Sequence, residues 1–346
     1  MLLGAALAAA PAWVIDVGEA RDIAAIDGVV LLLREFDIIG VRDGRVAWTR
    51  PLSVHEGWIA TTPSGCSVVG LQSGELACVA HADGSLRWTI PVPSLDERAP
   101  VLQVGTSQGT GVIVQLADGR WAKVEPSLCP GACLSLSEAS IRMPIWLDMV
   151  SANAAGVRAR HTHGAIVLYD IAGKRLGAVK GEYTFFVAVR GDGKVVAGID
   201  DALVLLDGPS CAQALAFTLA EAPLGCATTL GAVHNPSFPV LIGDDVVLVT
   251  ARELKRFGAS GWTSTVDAAG MPALHGGTIY SGCWQPSDGF VTHVDLCAID
   301  AATGRQKWRT KLGSEKLGLL DSPIVLAEGG WVYLSTPTKL AAFRAD

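Results

Sequence analysis

The sequence predicts an all-β protein made of one repeated unit of four short antiparallel strands, and three observations predict it. A glycine followed four residues later by tryptophan recurs in "RDGRVAWTRPL" (Arg42–Leu52), "ADGSLRWTIPV" (Ala82–Val92), "FGASGWTSTV" (Phe257–Val266) and "ATGRQKWRTKL" (Ala302–Leu312). The 260 residues from Trp48 to Trp308, taken as six steps, give a period of about 43 residues, the length of a four-stranded propeller blade. The segments between the copies are short β-like runs with glycine or aspartate turns, and no helical period intrudes.

The strands of each unit follow in order. Proline-led runs open it ("APVLQV", "MPIWLD", "FPVLIG", "MPALHG", "SPIVLA"), and β-rich runs follow ("GVVLLL", "CSVVGL", "GVIVQL", "KVVAGI", "DVVLVT", "GTIYSG", "GWVYLS"). Alternating runs come third: "DIIGVRDG", "ELACVAHADG", "RWAKVEPSL", "AIVLYDIAG", "ALVLLDG", "ELKRFGASG", "DLCAIDAATG" and "KLAAFRAD". The fourth strand starts at or near the tryptophan. Eight third-strand runs give the expected fold, an eight-bladed β-propeller of four-stranded antiparallel blades. The last run stops at Asp346 before a fourth strand, and "AWVIDV" (Ala12–Val17) resembles that missing strand. The expectation is a ring closed by the N-terminal strand, which leaves no long exposed sheet edge. Glycine supplies a positive-φ turn before the fourth strand. The tryptophan covers the neighbouring blade with a large apolar ring and an indole donor, so it is expected to act as mortar between blades.

Half of the 346 residues are hydrophobic and 18% are charged, enough for a large core. The net charge of −7 offers no basic stripe for nucleic acid and no polybasic membrane patch. No apolar run reaches the roughly 18 residues of a transmembrane helix. Leu2–Ala10 is short and apolar, and Ala10-Pro11-Ala12 resembles a small-residue cleavage site, although a positively charged start is missing. Residues 1–12 are therefore expected to be a truncated signal segment, and residues 13–346 a single exported domain, periplasmic or secreted. An ordinary apolar terminus packed on the domain is the alternative.

Eight cysteines form four sequence neighbours: Cys66/Cys78, Cys129/Cys133, Cys211/Cys226 and Cys283/Cys297. Spacing favours pairing within neighbours, as disulfides of an oxidising compartment. Cys66 and Cys78 lie at equal distance from Gln72, where cross-strand partners would meet. Eight cysteines allow 105 connectivities, and zinc binding or buried thiols are the rival readings.

These repeats resemble the pyrroloquinoline-quinone (PQQ) repeat family of β-propellers. The resemblance is best in "DLCAIDAATGRQKWRTKL" (Asp295–Leu312) and "ELACVAHADGSLRWTIPV" (Glu75–Val92), and weaker copies extend it from Trp13 to Asp346. It implies a propeller fold, and one of two roles: a quinoprotein dehydrogenase, or a non-enzymatic BamB-type subunit of the outer-membrane β-barrel assembly machinery. The dehydrogenases carry a vicinal cysteine pair, and this chain has no Cys-Cys dipeptide.

Other chemistry is thinly marked. His161 and His163 could share a strand face as metal ligands, but "HTHG" reads as a hairpin tip without a third ligand. Asp200/Asp201 and Asp244/Asp245 are paired carboxylates at places where tight turns favour aspartate. Arg190-Gly191-Asp192 lies in a hairpin signal. No nucleophile elbow, P-loop or H-E-x-x-H motif occurs. No catalytic, cofactor or metal residue is assigned. The segment "CWQPSDGFVTHVDLC" (Cys283–Cys297) inserts a long loop into a hairpin, and Trp284, Gln285, Phe290 and His293 are its candidate partner contacts. "CAQALAFTLAEAPLGC" (Cys211–Cys226) does the same around an apolar segment. The expected function is an exported, non-catalytic scaffold that binds a protein partner, as in envelope or outer-membrane protein assembly. The alternative is a secreted enzyme, either a quinoprotein or a polysaccharide-acting propeller.

Overall fold

A computed structural model describes residues 10–54, 59–62, 65–92, 101–106, 112–116, 121–124, 129, 131, 134–136, 149–152, 158–162, 164–169, 175–212, 214, 216–234, 236–237, 239–284, 294–312 and 323–345. They form an all-β structure of antiparallel sheets, most of them four-stranded, joined by one short helix and one 3-10 turn. Strand β1 is Trp13–Asp16, and the next sheet takes the order β2 (Asp22–Ile26), β3 (Val29–Leu33), β4 (Asp37–Arg42) and β5 (Arg45–Pro51). A second sheet orders β6 (Ala60–Thr62), β7 (Cys66–Gly70), β8 (Glu75–Ala80) and β9 (Leu86–Pro91). A third orders β10 (Val101–Thr106), β11 (Val112–Leu116), β12 (Trp121–Val124) and β13 (Leu134–Leu136).

The next sheet contains β14 (Met149–Ala152), β15 (Arg158–Thr162), β16 (Ala165–Tyr169) and β17 (Arg175–Lys180). Its neighbour in sequence contains β18 (Thr184–Val189), β19 (Val195–Ile199), β20 (Ala202–Leu206) and β22 (Ala227–Ala232), with helix α1 (Gly208–Ala212) and β21 (Phe217–Thr218) between the last two strands. The remaining strands are β23 (Val240–Ile242), β24 (Asp245–Thr250), β25 (Glu253–Phe257), β26 (Trp262–His275), β27 (Thr278–Trp284), β28 (Val294–Asp300), β29 (Gln306–Lys311), β30 (Ile324–Glu328), β31 (Trp331–Ser335) and β32 (Lys339–Arg344). Together with β1 they form an eleven-stranded network.

Two compact units emerge. One comprises Met1–Leu32, Val41–Ala47 and Asn235–Asp346; the other comprises Leu33–Gly40 and Trp48–His234. In the first unit the expected N-terminal pairing occurs. β1 runs antiparallel to β32 with Trp13 opposite Ala342 and Asp16 opposite Lys339. Trp13 also sits against the turn at Gly44, where an added methyl group would come within 2.9 Å of the Trp13 side chain.

Two departures from four separate strands have physical causes. "WTSTVDAAGMPALH" was expected to hold a fourth strand and then a new first strand. It is one strand, β26, which pairs with β25 through its first half and β27 through its second. Across Asp267–Gly270 the chain stays extended, and the Gly270 φ of 71° accompanies a register shift rather than a break. The other departure is β21, which leaves its own sheet and pairs in parallel with β17 as a fifth strand.

The core follows the alternation of the strands. In the second unit, Leu33, Ile38, Val54, Val69, Ala77 and Val79 form one apolar cluster. Ala60, Cys66, Val68, Leu76, Cys78, Trp88 and Val112 form another. In the first unit, Tyr280, Leu296, Trp308, Val332, Leu334 and Phe343 pack together. Burying each large aliphatic side chain contributes about 1.5–3 kcal/mol against the chain entropy.

The repeated tryptophans fall into two kinds. Trp88 and Trp308 are buried, with 8% and 7% exposure, and Trp308 lies 5.9 Å from Tyr280 and 6.5 Å from Phe343 between ring centres. Trp48 and Trp262 are half-buried. Each lays its ring over the turn glycine of the following repeat. A methyl at Gly304 would come within 2.6 Å of Trp262, and one at Gly84 would overlap Trp48. If all four are mortar they should be largely buried, and that degree of burial is reached by Trp88 and Trp308 but not by Trp48 and Trp262. The indoles of Trp48 and Trp262 donate to the carbonyls of His81 and Ala301.

Candidate functional site

The hairpin beneath the expected contact loop is the most firmly fixed of the candidates. β27 and β28 pair over seven residues each, from Thr278 opposite Asp300 to Trp284 opposite Val294. All but the terminal Trp284 and Asp300 are buried. The Cys283–Cys297 disulfide crosses the two strands with 6.0 Å between Cα atoms, running diagonally because Cys283 faces Asp295 and Cys297 faces Ser281. On β29, Arg309 donates from Nε to the buried carboxylate of Asp295 at 2.6 Å and from Nη2 to the carbonyl of Trp284 at 3.0 Å. One guanidinium therefore ties the last residue of β27 to the strand that returns from the loop. Asp295 is buried and Arg309 partly exposed, so removing the arginine would take a cation from a buried carboxylate and loosen the base of the loop. Trp284 is half-buried at that base. Gln285, Phe290 and His293 lie outside the described residues.

The disulfide framework takes its place among these strands. Cys66–Cys78 and Cys211–Cys226 are bridged, with Cα separations of 5.7 and 4.9 Å. Cys129 is disulfide-bonded, and its expected partner Cys133 lies outside the described residues. The symmetry about Gln72 needs correction: Cys66 stands opposite Ala80, and Cys78 opposite Val68. The turn is centred one residue later, where Gly74 at φ 81° donates its N–H to the Leu71 carbonyl.

The remaining marked residues lie in strands and turns. His161 lies in β15 opposite Met149 and Ile166, while His163 falls outside the described residues. Asp200 occupies a turn at φ 53° and accepts the Tyr183 N–H at 2.9 Å. Asp201 pairs with His234 at 3.1 Å. Arg190 and Asp192 bind each other at 3.1 Å. Asp245 does more than shape a turn. It forms a largely buried ion pair with Arg256, whose Nε donates at 2.7 Å, and it accepts the Ala259 N–H at 3.1 Å. Among the described residues, no three histidine, cysteine or acidic side chains cluster as a metal would require.

Two exposed aromatics escaped the sequence reading, both in the second unit. Phe36 rides the β3–β4 hairpin, bracketed by the Arg34–Asp37 ion pair, and its carbonyl accepts the Leu52 N–H at 3.0 Å. Tyr183 tops the β17–β18 connection, locked by two hydrogen bonds with Asp200. Their shared signal is a glutamate directly before an aromatic at a strand junction, "REFD" and "GEYT". Rigid, exposed aromatics on turns suit protein contact, because few rotors are lost on binding.

Electrostatic shifts accompany the turns and the core. Asp300 accepts from the Thr303 hydroxyl, the Thr303 N–H and the Ala302 N–H, which hold its carboxyl below its ordinary range. Asp83 is lowered in the same way by Ser85. Burial raises the Tyr333 phenol, aided by the nearby Glu328 charge.

Comparison with known proteins fits this architecture. The family model described as outer membrane protein assembly factor BamB matches residues 162–346, more than half of the chain, and the protein belongs to that family of PQQ-like β-propellers. No curated protein matches it. Among solved structures, Saccharomyces cerevisiae Sqt1 is 11% identical, over 98% of this chain and 100% of its own, with a TM-score of 0.64. The C-terminal WD40 domain of Sif2 is 10% identical, over 98% and 99%, with a TM-score of 0.60. BamB from Moraxella catarrhalis is 12% identical, over 97% and 99%, with a TM-score of 0.48. At such identities, the likeness to Sqt1 and Sif2 speaks to fold alone, a β-propeller-type fold.

Proposed function

We propose that this chain is an exported, non-catalytic propeller scaffold that binds a protein partner, working in envelope or outer-membrane protein assembly. The family match over residues 162–346 carries the reading, because the family description names an assembly factor. The disulfides support an oxidising compartment. The loop between Trp284 and Val294 is the contact we assign to the partner, supported by its bridged and ion-paired base.

The scaffold in this reading is a ring of eight four-stranded blades closed by β1. Its support is the pairing pattern, which parses into eight successive four-strand sets once β26 is shared between two of them and β1 is added beside β32. The seat of Trp13 against Gly44 repeats the tryptophan-on-glycine relation seen at Gly84 and Gly304.

Affinity capture from intact cell envelope tests the reading. A defined protein partner should co-purify in stoichiometric amount. Quinone-dependent dye reduction after supplying PQQ and calcium, with no stoichiometric partner, would overturn it in favour of an oxidoreductase.

A further inference from the structure

The excursion that separates β20 from β22 spends its length on a different sheet. Its two ends meet: the Asp207 N–H donates to the Cys226 carbonyl at 2.8 Å, and Cys211 is bridged to Cys226. Between the half-cystines the chain reaches the outer edge of β17, where Phe217 pairs with Val179 and Thr218 with Lys180. Phe217 is buried among Ile166, Leu168 and Val179. Farther along β17 the strap backbone lies against Gly177, where an added methyl would come within 2.7 Å of the Ala214 carbonyl. Without the strap, β17 would be the outer strand of its sheet.

Three features separate this contact from an ordinary fifth strand. It is parallel, whereas every other pairing in that sheet is antiparallel, and it extends over two residues only. Phe217 is the buried anchor of the extended segment, and the strap's Ala214, Leu219 and Ala222 pack partly buried against the same apolar cluster. The strap also departs from and returns to a single point, closed by the disulfide, so its β21 segment is tethered at both ends independently of the β20–β22 pairing. A short extended segment on a sheet edge, with one apolar anchor, is the geometry by which sheets capture peptide strands.

We propose that the outer edge of β17 is an acceptor site for an extended polypeptide with an apolar anchor residue, and that the Cys211–Cys226 strap is its built-in occupant, which an incoming chain displaces. The inference is independent of the loop between β27 and β28.

The test uses the strap's own sequence as probe. In one variant, residues 208–225 are replaced by a two-residue Asn-Gly turn together with Cys226→Ser, since Asp207 and residue 226 already face each other. A fluorescent peptide with the sequence of Ala214–Glu221 should bind this variant saturably and the intact protein at least about tenfold more weakly, because the occupied edge reduces apparent affinity. Bound peptide should slow amide exchange across Gly177–Lys180, and the same peptide with aspartate in place of its phenylalanine should not bind. A folded variant that ignores the peptide would overturn the proposal, as would equal binding to the intact protein. Should that variant not fold, Phe217→Ser, which keeps the bridge and the chain length, decides. It should speed exchange at Gly177–Val179 and admit the peptide, and unchanged exchange or no peptide binding would overturn the proposal.

Discussion

The indole N–H of Trp262 donates to the carbonyl oxygen of Ala301 at 3.1 Å, and Trp48 stands in the same relation to His81, also at 3.1 Å. In both cases the acceptor lies three residues before the turn glycine under the ring, Gly304 or Gly84. The tryptophan thus joins two successive repeats by ring contact and by a hydrogen bond to a backbone group that the turn leaves available. At Ala301 the same carbonyl also accepts Arg256 Nη1 at 2.6 Å, so the Asp245–Arg256 pair braces the joint.

The two kinds of tryptophan should respond differently to mutation. Trp308→Ala removes a buried aromatic and should cost roughly 3–5 kcal/mol in denaturant unfolding. Trp262→Phe keeps a ring over Gly304 but loses the indole donor, and should cost about 1 kcal/mol. Equal losses from the two changes would argue against the distinction.

Gly304→Ala should destabilise the protein more than a surface glycine change would. Its φ is 70°, and the new methyl would press on the Trp262 ring. The positive φ alone should cost roughly 1 kcal/mol or more, and tryptophan fluorescence should report the displaced indole.

The β24–β25 hairpin carries the opposite opportunity. Ala251 and Arg252 hold φ of 48° and 68°, the pair of values that this turn type demands of Asn-Gly or Asp-Gly. Ala251→Gly should therefore stabilise the protein by about 0.5–1 kcal/mol, since alanine pays for a left-handed backbone that glycine accepts freely. A lower melting temperature would contradict the assignment of this strain.

Much of this fold was legible because the period of the repeat is written in residues with specific duties. Gly84 and Gly304 supply positive φ, and the short, largely apolar runs around Leu76 and Leu296 are strands buried on both faces. What was not legible depends on neighbours far along the chain. Nothing in "FT" shows that Phe217 would leave its own sheet for β17. Trp262 and Trp308 occupy like positions in the repeat, yet Tyr280 and Phe343 bury only the second. The loop site was legible in part. The Cys283–Cys297 bracket marks it, whereas Asp295 and Arg309, which stiffen its base, read in sequence as ordinary charges of a strand pair.

Acid should weaken the turn before Gly304 in a defined window. Asp300 is held below the ordinary aspartate value of 3.8, chiefly by the Thr303 hydroxyl, with the two backbone donors adding to it. Its contribution is therefore fully present above pH 3.8 and is lost as pH falls through the lower folded value. Asp300→Asn retains an acceptor oxygen without the charge. The variant should be less stable than the parent at neutral pH, and the gap should close as pH falls through the lowered folded value. A gap independent of pH would show that the carboxylate charge plays no part.

The most direct test of the account concerns the loop carried on β27 and β28. Residues 285–293 can be replaced by a short Gly-Ser linker while the Cys283–Cys297 bridge and the Asp295–Arg309 pair stay in place. Partner capture from cell envelope by this variant should fall at least about tenfold, a loss of roughly 1.4 kcal/mol of binding, while its melting temperature matches the parent. Undiminished capture by a variant of equal stability would contradict the account.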